Sequence, residues 1–188
     1  MRKIRIEVKE LKDTIKAIGL FIVGLTVAIV VYPLMHELAH SIVALAVGAK
    51  VIEINMFPIP NVLCEIGSVD STGIVAIGMS GMLLPYFLSV VFKPKNFWLW
   101  YANYIVKGIS ALAFVISTIS TVCFFMGAPL PNDDTSQVLA VWPSGKWICL
   151  LLSIILVVSA IARLIREKPF VHCMRCFNIP IKKTASAA

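Results

Sequence analysis

The chain has 188 residues, of which 59% are hydrophobic and only 14% are charged. A soluble globular domain is about 45–50% apolar and about 25% charged, so this composition excludes a disordered chain, a coiled coil and most soluble folds. It predicts an all-α polytopic membrane protein that forms a single domain over residues 1–188. The net charge is +7, but the basic residues do not form the aromatic-basic pattern of a nucleic-acid-binding surface, so we expect no nucleic-acid partner.

The chain opens with a basic segment, residues 1–16, which is followed by an almost wholly apolar run over residues 17–47. We expect the basic segment to form an amphipathic helix or strand on the membrane surface. A helix through the apolar run would be about 46 Å long at about 1.5 Å per residue, which exceeds a hydrocarbon core of about 30 Å. The helix must therefore tilt, protrude or break, and Pro33 is the expected kink because it lacks a backbone donor.

A short membrane-surface β segment, a strand or hairpin, is predicted at residues 50–57, where polar and apolar residues alternate. Three further apolar regions give a total of about four transmembrane helices: residues 73–92, 97–126 and 147–165. Aromatic residues open the third region, as at a membrane interface, so its span is expected to begin near Lys107 or Gly108. A short helix at 135–141 leads into the last span. The transmembrane core thus covers residues 17–165, and a basic cytoplasmic tail covers residues 166–188.

The distribution of basic residues predicts the orientation in the lipid bilayer. Fourteen of the 17 basic residues lie on one side when both termini and the loop with Lys93 and Lys95 are placed together. Because basic loops favour the cytoplasmic side, we expect an integral, multi-pass membrane protein with the N and C termini in the cytoplasm. Lys107 then lies near the interface, where its side chain is expected to extend towards water.

The first apolar run contains the sequence His36-Glu37-Leu38-Ala39-His40. Two histidines four residues apart lie one turn apart on one face of a helix, so both imidazoles can bind one Zn²⁺. Zinc lowers the pKa of its water to about 7, and Glu37 can accept the proton. The alternative is a chance match or a satisfied polar cluster between helices. A chance match is on the order of one in a thousand, and ionisable groups inside a span are costly, so the metal site is favoured.

A catalytic zinc of this type has three protein ligands and an open position. The remaining histidine, His172, lies with basic residues beyond the last span. The acidic candidates are Glu53, Glu65, Asp70, Asp133 and Asp134. The pair Asp133-Asp134 is preferred because it lies at membrane depth just before an apolar helix. An aspartate there could instead cap the helix, and the pair could serve both roles.

With these motifs the chain resembles the site-2 protease family of intramembrane zinc metalloproteases, in its smaller branch with few spans. The resemblance covers roughly residues 17–165 and includes the histidine motif, the strand segment, a second span with Gly81 and Pro85, and the late aspartate motif. It implies three metal ligands and one catalytic residue: His36, His40 and Asp134 as ligands, with Asp133 as the alternative third ligand, and Glu37 as the catalytic residue. The sequence differs from the family at Thr135, where a glycine is common.

The resemblance and the motif together predict an intramembrane zinc metalloprotease. It would hydrolyse peptide bonds of membrane-anchored or membrane-proximal polypeptides through zinc-activated water. The alternative is a non-catalytic zinc-binding membrane protein, such as a chaperone, a partner subunit or a transporter-like protein. Glu37 favours the enzyme, because a purely structural zinc site does not need it. Cys173 and Cys176 are interpreted as a reduced or lipidated pair, because no second cysteine pair completes a metal knuckle.

Overall fold

The computed structural model describes residues 2–55, 60–67, 69–131 and 133–177, which are mostly helical, with side chains described from residue 10. The helices are α1 (Arg2–Thr26), α2 (Tyr32–Ala46), α3 (Ser71–Val91), α4 (Phe97–Phe125), α5 (Asp134–Val141), α6 (Lys146–Arg166) and α7 (Pro169–Cys176). Two strands, β1 (Lys50–Asn55) and β2 (Asn61–Glu65), form an antiparallel sheet after α2. A π-helical segment, Val27–Val31, joins α1 to α2, and a 3₁₀ turn, Pro143–Gly145, precedes α6.

Within the described residues, four helical segments are long and apolar enough to cross a membrane: Glu10–Ala46, Ser71–Val91, Phe97–Phe125 and Pro143–Cys176. This agrees with the four predicted spans, and with the predicted short helix that precedes the last of them. The expected start of the third span near Lys107 or Gly108 stays a prediction, because it concerns the membrane boundary and not the helix. α4 already begins at Phe97, because the side chain of Asn96 accepts hydrogen bonds from the backbone N–H groups of Trp98 and Leu99.

The sequence predicted a kink at Pro33 in the first helical segment. The structure has an irregularity there, in the form of a wider, π-helical turn just before Pro33. The backbone N–H of Tyr32 donates to the carbonyl of Val27, a π-type bond across five residues, immediately before Pro33. The basic N-terminal segment is helical and continues into this apolar helix without a break. Single π turns interrupt α-helices where the regular bond ladder is disturbed, and here the disturbance falls just before the histidine motif.

The predicted β segment forms one strand of a hairpin. Lys50 pairs with Glu65 and Asn55 with Asn61, and a bulge shifts the register between Val51 and Glu53. Residues 56 and 57 of the predicted strand lie outside the described residues. The hairpin places both β1 and β2 next to α2, the helix that carries the histidine motif.

The core lies between α3, α4 and α6. Tyr86 and Phe114 meet edge to face with ring centroids 5.1 Å apart, and the buried Ala160 of α6 lies in the same cluster. The buried side chain of Asn103 donates to the carbonyls of Ser89 and Phe92, each at 3.0 Å, and so ties α4 to the end of α3. Large apolar side chains cover the outside of the helices, the surface that contact with lipid requires.

The expectation that Lys107 extends towards water is wrong. Its side chain is buried, with 6% of the residue exposed, and it forms an ion pair with Glu167, which follows α6. A charge removed from solvent needs a partner, and this partner comes from a distant part of the chain. Sequence position alone could therefore not reveal it.

Candidate metal centre

The structure brings together His36 and His40 of α2 and Asp134 of α5. The Nε2 atoms of the two histidines are 3.1 Å apart. An oxygen of Asp134 lies 3.1 Å from Nε2 of His36 and 3.3 Å from Nε2 of His40. These three groups could hold a metal ion, with their ligand atoms all within 4.8 Å of one another.

The spacing of the three atoms fits one face of a tetrahedron around a zinc-sized ion. Ligands at about 2.0 Å from a tetrahedral zinc are separated from one another by about 3.3 Å. The observed separations of 3.1–3.3 Å match this value. Two imidazole nitrogens and one carboxylate oxygen are also a ligand set that zinc accepts while keeping a fourth position open.

The adjacent aspartates have different roles. Asp133 is the N-cap of α5: its carboxylate accepts the backbone N–H of Ser136 at 2.9 Å and the hydroxyl of Ser120 on α4. Thr135 donates to Ser117 of α4 at 2.9 Å. These bonds hold the start of α5 against α4, so that Asp134 is turned towards the histidines. Of the two predicted candidates for the third ligand, the structure places Asp134 at the centre.

Hydrogen bonding sets the orientation of His40. Its Nδ1 lies 2.7 Å from the carbonyl oxygen of Ile77 on α3, so this nitrogen donates a hydrogen bond and Nε2 is the nitrogen that faces His36 and Asp134. The hydroxyl of Ser80 donates to the same carbonyl at 2.6 Å. Outer contacts of this kind fix the ring orientation of metal-binding histidines.

The electrostatics of Asp134 favour its ionised form. Burial opposes ionisation, but hydrogen bonds from His36 and His40 outweigh burial and hold the pKa of the Asp134 carboxyl well below its ordinary value. A carboxylate that stays ionised is the form that binds a metal.

Glu37 lies beside the three groups in the wall of a cavity of about 760 Å³. It is 7% exposed, and within the described residues its carboxylate has no hydrogen-bond partner. The remaining walls come from β2, α3 and α5, and include Asn61, Cys64 and Gln137. A free carboxylate next to a possible metal position can accept a proton from water or substrate.

Two glycines of α3, Gly78 and Gly81, allow this assembly, a role that the sequence alone does not reveal. A Cβ on Gly81 would lie 2.6 Å from Cε1 of His36 and would overlap Nε2 of His40. A Cβ on Gly78 would lie only 2.5 Å from the Val138 side chain of α5. The contacts of these glycines with the histidines and α5 depend on how three helices meet.

We expect Gly81→Ala to disrupt the centre, because the added methyl group would push both imidazoles away from their positions. Overpacking of this kind costs about 1–3 kcal/mol, and zinc binding should fall with it. Gly108→Ala is the matched control, since a Cβ there meets nothing within 4 Å and alanine favours a helix by up to about 1 kcal/mol. Zinc content and thermal unfolding of both variants test this, and undiminished zinc binding by Gly81→Ala would contradict it.

Comparison with protein-family models, with curated proteins and with solved structures finds no match to this chain. The functional interpretation therefore depends on the residues and the geometry described above.

Proposed function

We propose that the chain is an intramembrane zinc metalloprotease. The observation that carries the proposal is the meeting of His36, His40 and Asp134 at separations that suit tetrahedral zinc, with Glu37 beside them. The Asp134 carboxylate comes from a helix nearly a hundred residues away from the histidine motif. A chance five-residue match would not be expected to bring a carboxylate oxygen within 3.3 Å of both histidine nitrogens.

When bound, zinc would supply a Lewis acid that polarises a peptide carbonyl and acidifies a water molecule. His36, His40 and Asp134 would hold the ion, and all three line the cavity. Glu37 accepts the proton of the attacking water and then donates it to the leaving amine, as a general base followed by a general acid. Its lack of a hydrogen-bond partner in the described residues leaves its carboxylate available for both transfers.

The proposed substrate is a membrane-anchored or membrane-proximal polypeptide that unwinds locally at the cavity. A helical substrate hides its carbonyls in backbone hydrogen bonds, so it must become extended before hydrolysis. Pairing with a strand edge would hold it extended. Of the two strands, β2 supplies the cavity wall, and β1 is its only partner in the described sheet. We therefore assign substrate pairing to the edge of β2.

Metal removal tests the proposal. The full chain purified in detergent micelles should contain one zinc per chain and cleave members of a pooled library of single-span peptides, read by mass spectrometry. A chelator should abolish cleavage, and added zinc should restore it, because every hydrolytic step needs the ion. Stoichiometric zinc without cleavage of any peptide would instead support the non-catalytic zinc-binding alternative, and a chain that binds no zinc would overturn both.

A further inference from the structure

A second cavity, of about 730 Å³, lies between α3 and α6 and is separate from the proposed metal centre. Apolar side chains make most of its wall, among them Met79, Leu83, Phe87 and Leu156. Val43 of α2 and Ala76 of α3 line one part, and Val90 and Arg163 line another. We call this cavity the α3–α6 groove.

The polar side chains that line the α3–α6 groove form hydrogen bonds within the protein, with one exception. Ser80 donates to the carbonyl of Ile77, and the hydroxyls of Tyr86 and Ser159 bond each other at 3.0 Å. The guanidinium group of Arg163 makes no hydrogen bond or ion pair with any described residue, and the side chain is exposed. The groove therefore presents an apolar wall and one available positive charge.

That charge lies at one end of the groove. The bond between Tyr86 and Ser159 places the C-terminal parts of α3 and α6 at the same level. Arg163 is one turn beyond Ser159, and Val90 is one turn beyond Tyr86, so both mark the same end. Along α3 the groove extends from Ala76 to Val90, roughly 21 Å at about 1.5 Å per residue, whereas one leaflet of the hydrocarbon core is about 15 Å deep.

We propose that the α3–α6 groove binds a phospholipid, with an acyl chain along the apolar wall and the phosphate on Arg163. A guanidinium group forms paired, charge-assisted hydrogen bonds with phosphate oxygens. The groove has the length for an acyl chain and the charge for the head group at the end where the chain would leave the hydrocarbon region. This inference uses the membrane insertion in the proposed function, but it requires neither zinc nor hydrolysis.

A binding experiment on the full chain tests the lipid site. The protein, stripped of lipid in detergent, is titrated with phosphatidylglycerol, with diacylglycerol of the same chains, or with inorganic phosphate, and followed by native mass spectrometry. We expect one tightly bound phosphatidylglycerol per chain, weak binding of diacylglycerol and none of free phosphate. Arg163→Gln should weaken phosphatidylglycerol binding at least about tenfold, the scale of lost charge-assisted hydrogen bonds.

Arg166→Gln is the matched control, because Arg166 is an exposed arginine on the same helix that does not line the groove. Leu156→Trp should block the groove and reduce binding of both lipids. Equal effects of Arg163→Gln and Arg166→Gln, or equal affinity for diacylglycerol and phosphatidylglycerol, would overturn the proposal. So would a single-span peptide that occupies the groove in place of lipid. Because binding is read directly, the Glu37→Gln variant should bind lipid normally even if hydrolysis is never found.

Discussion

Glu37→Gln is expected to abolish peptide hydrolysis while leaving zinc content unchanged. Glutamine has nearly the same shape as glutamate but cannot accept a proton at neutral pH, and general acid-base catalysis contributes about 10²–10⁴ in rate. Glu37 lies in the cavity wall beside the three groups that could hold a metal rather than among them. The variant should therefore keep the metal, the fold and substrate binding, and lose turnover.

The measurement is a paired determination of zinc per chain and of kcat on a peptide that the wild type cleaves. Glu53→Gln on β1 is the control, since Glu53 is exposed and does not line the cavity, and its kcat should equal that of the wild type. If Glu37→Gln hydrolyses peptide at the rate of the wild type, Glu37 is not the general base.

Replacing the two neighbouring aspartates should separate metal binding from helix capping. Asp134→Asn removes the one anionic group of the proposed metal site, so zinc affinity should fall by more than the roughly 10–100-fold typical of outer-shell changes, and hydrolysis should be lost. Asp133→Ala removes the N-cap of α5 and should lower the free energy of unfolding by about 0.5–2 kcal/mol. Its zinc stoichiometry should remain that of the wild type.

Zinc titration of the folded variants and denaturant unfolding distinguish these outcomes. Asp133→Ser supplies a further control, because serine is itself a good N-cap and should recover part of the stability that alanine loses. The assignment fails if Asp133→Ala loses zinc and Asp134→Asn retains it, since the carboxylates would then have exchanged roles.

Much of the architecture could be predicted from local sequence. The four apolar segments and the two histidines four residues apart depend on composition and on the helical period, neither of which needs knowledge of neighbouring elements. For the same reason the short helix before the last span was predicted correctly. The start of α4 was not predicted, because aromatic residues suit both an interface and a helix, and the cap at Asn96 sets where the helix begins.

The sequence by itself determined that two imidazoles and a carboxylate share one turn of an apolar helix. Only the tertiary structure decided which aspartate meets them. The contacts between α5 and α4 turn Asp133 towards α4 and Asp134 towards the histidines. The tertiary structure also decided that Gly81 admits both rings, that β2 lines the cavity and that Lys107 pairs with Glu167. Each of these depends on contacts between elements far apart in the chain, and helical periodicity carries no information about such contacts.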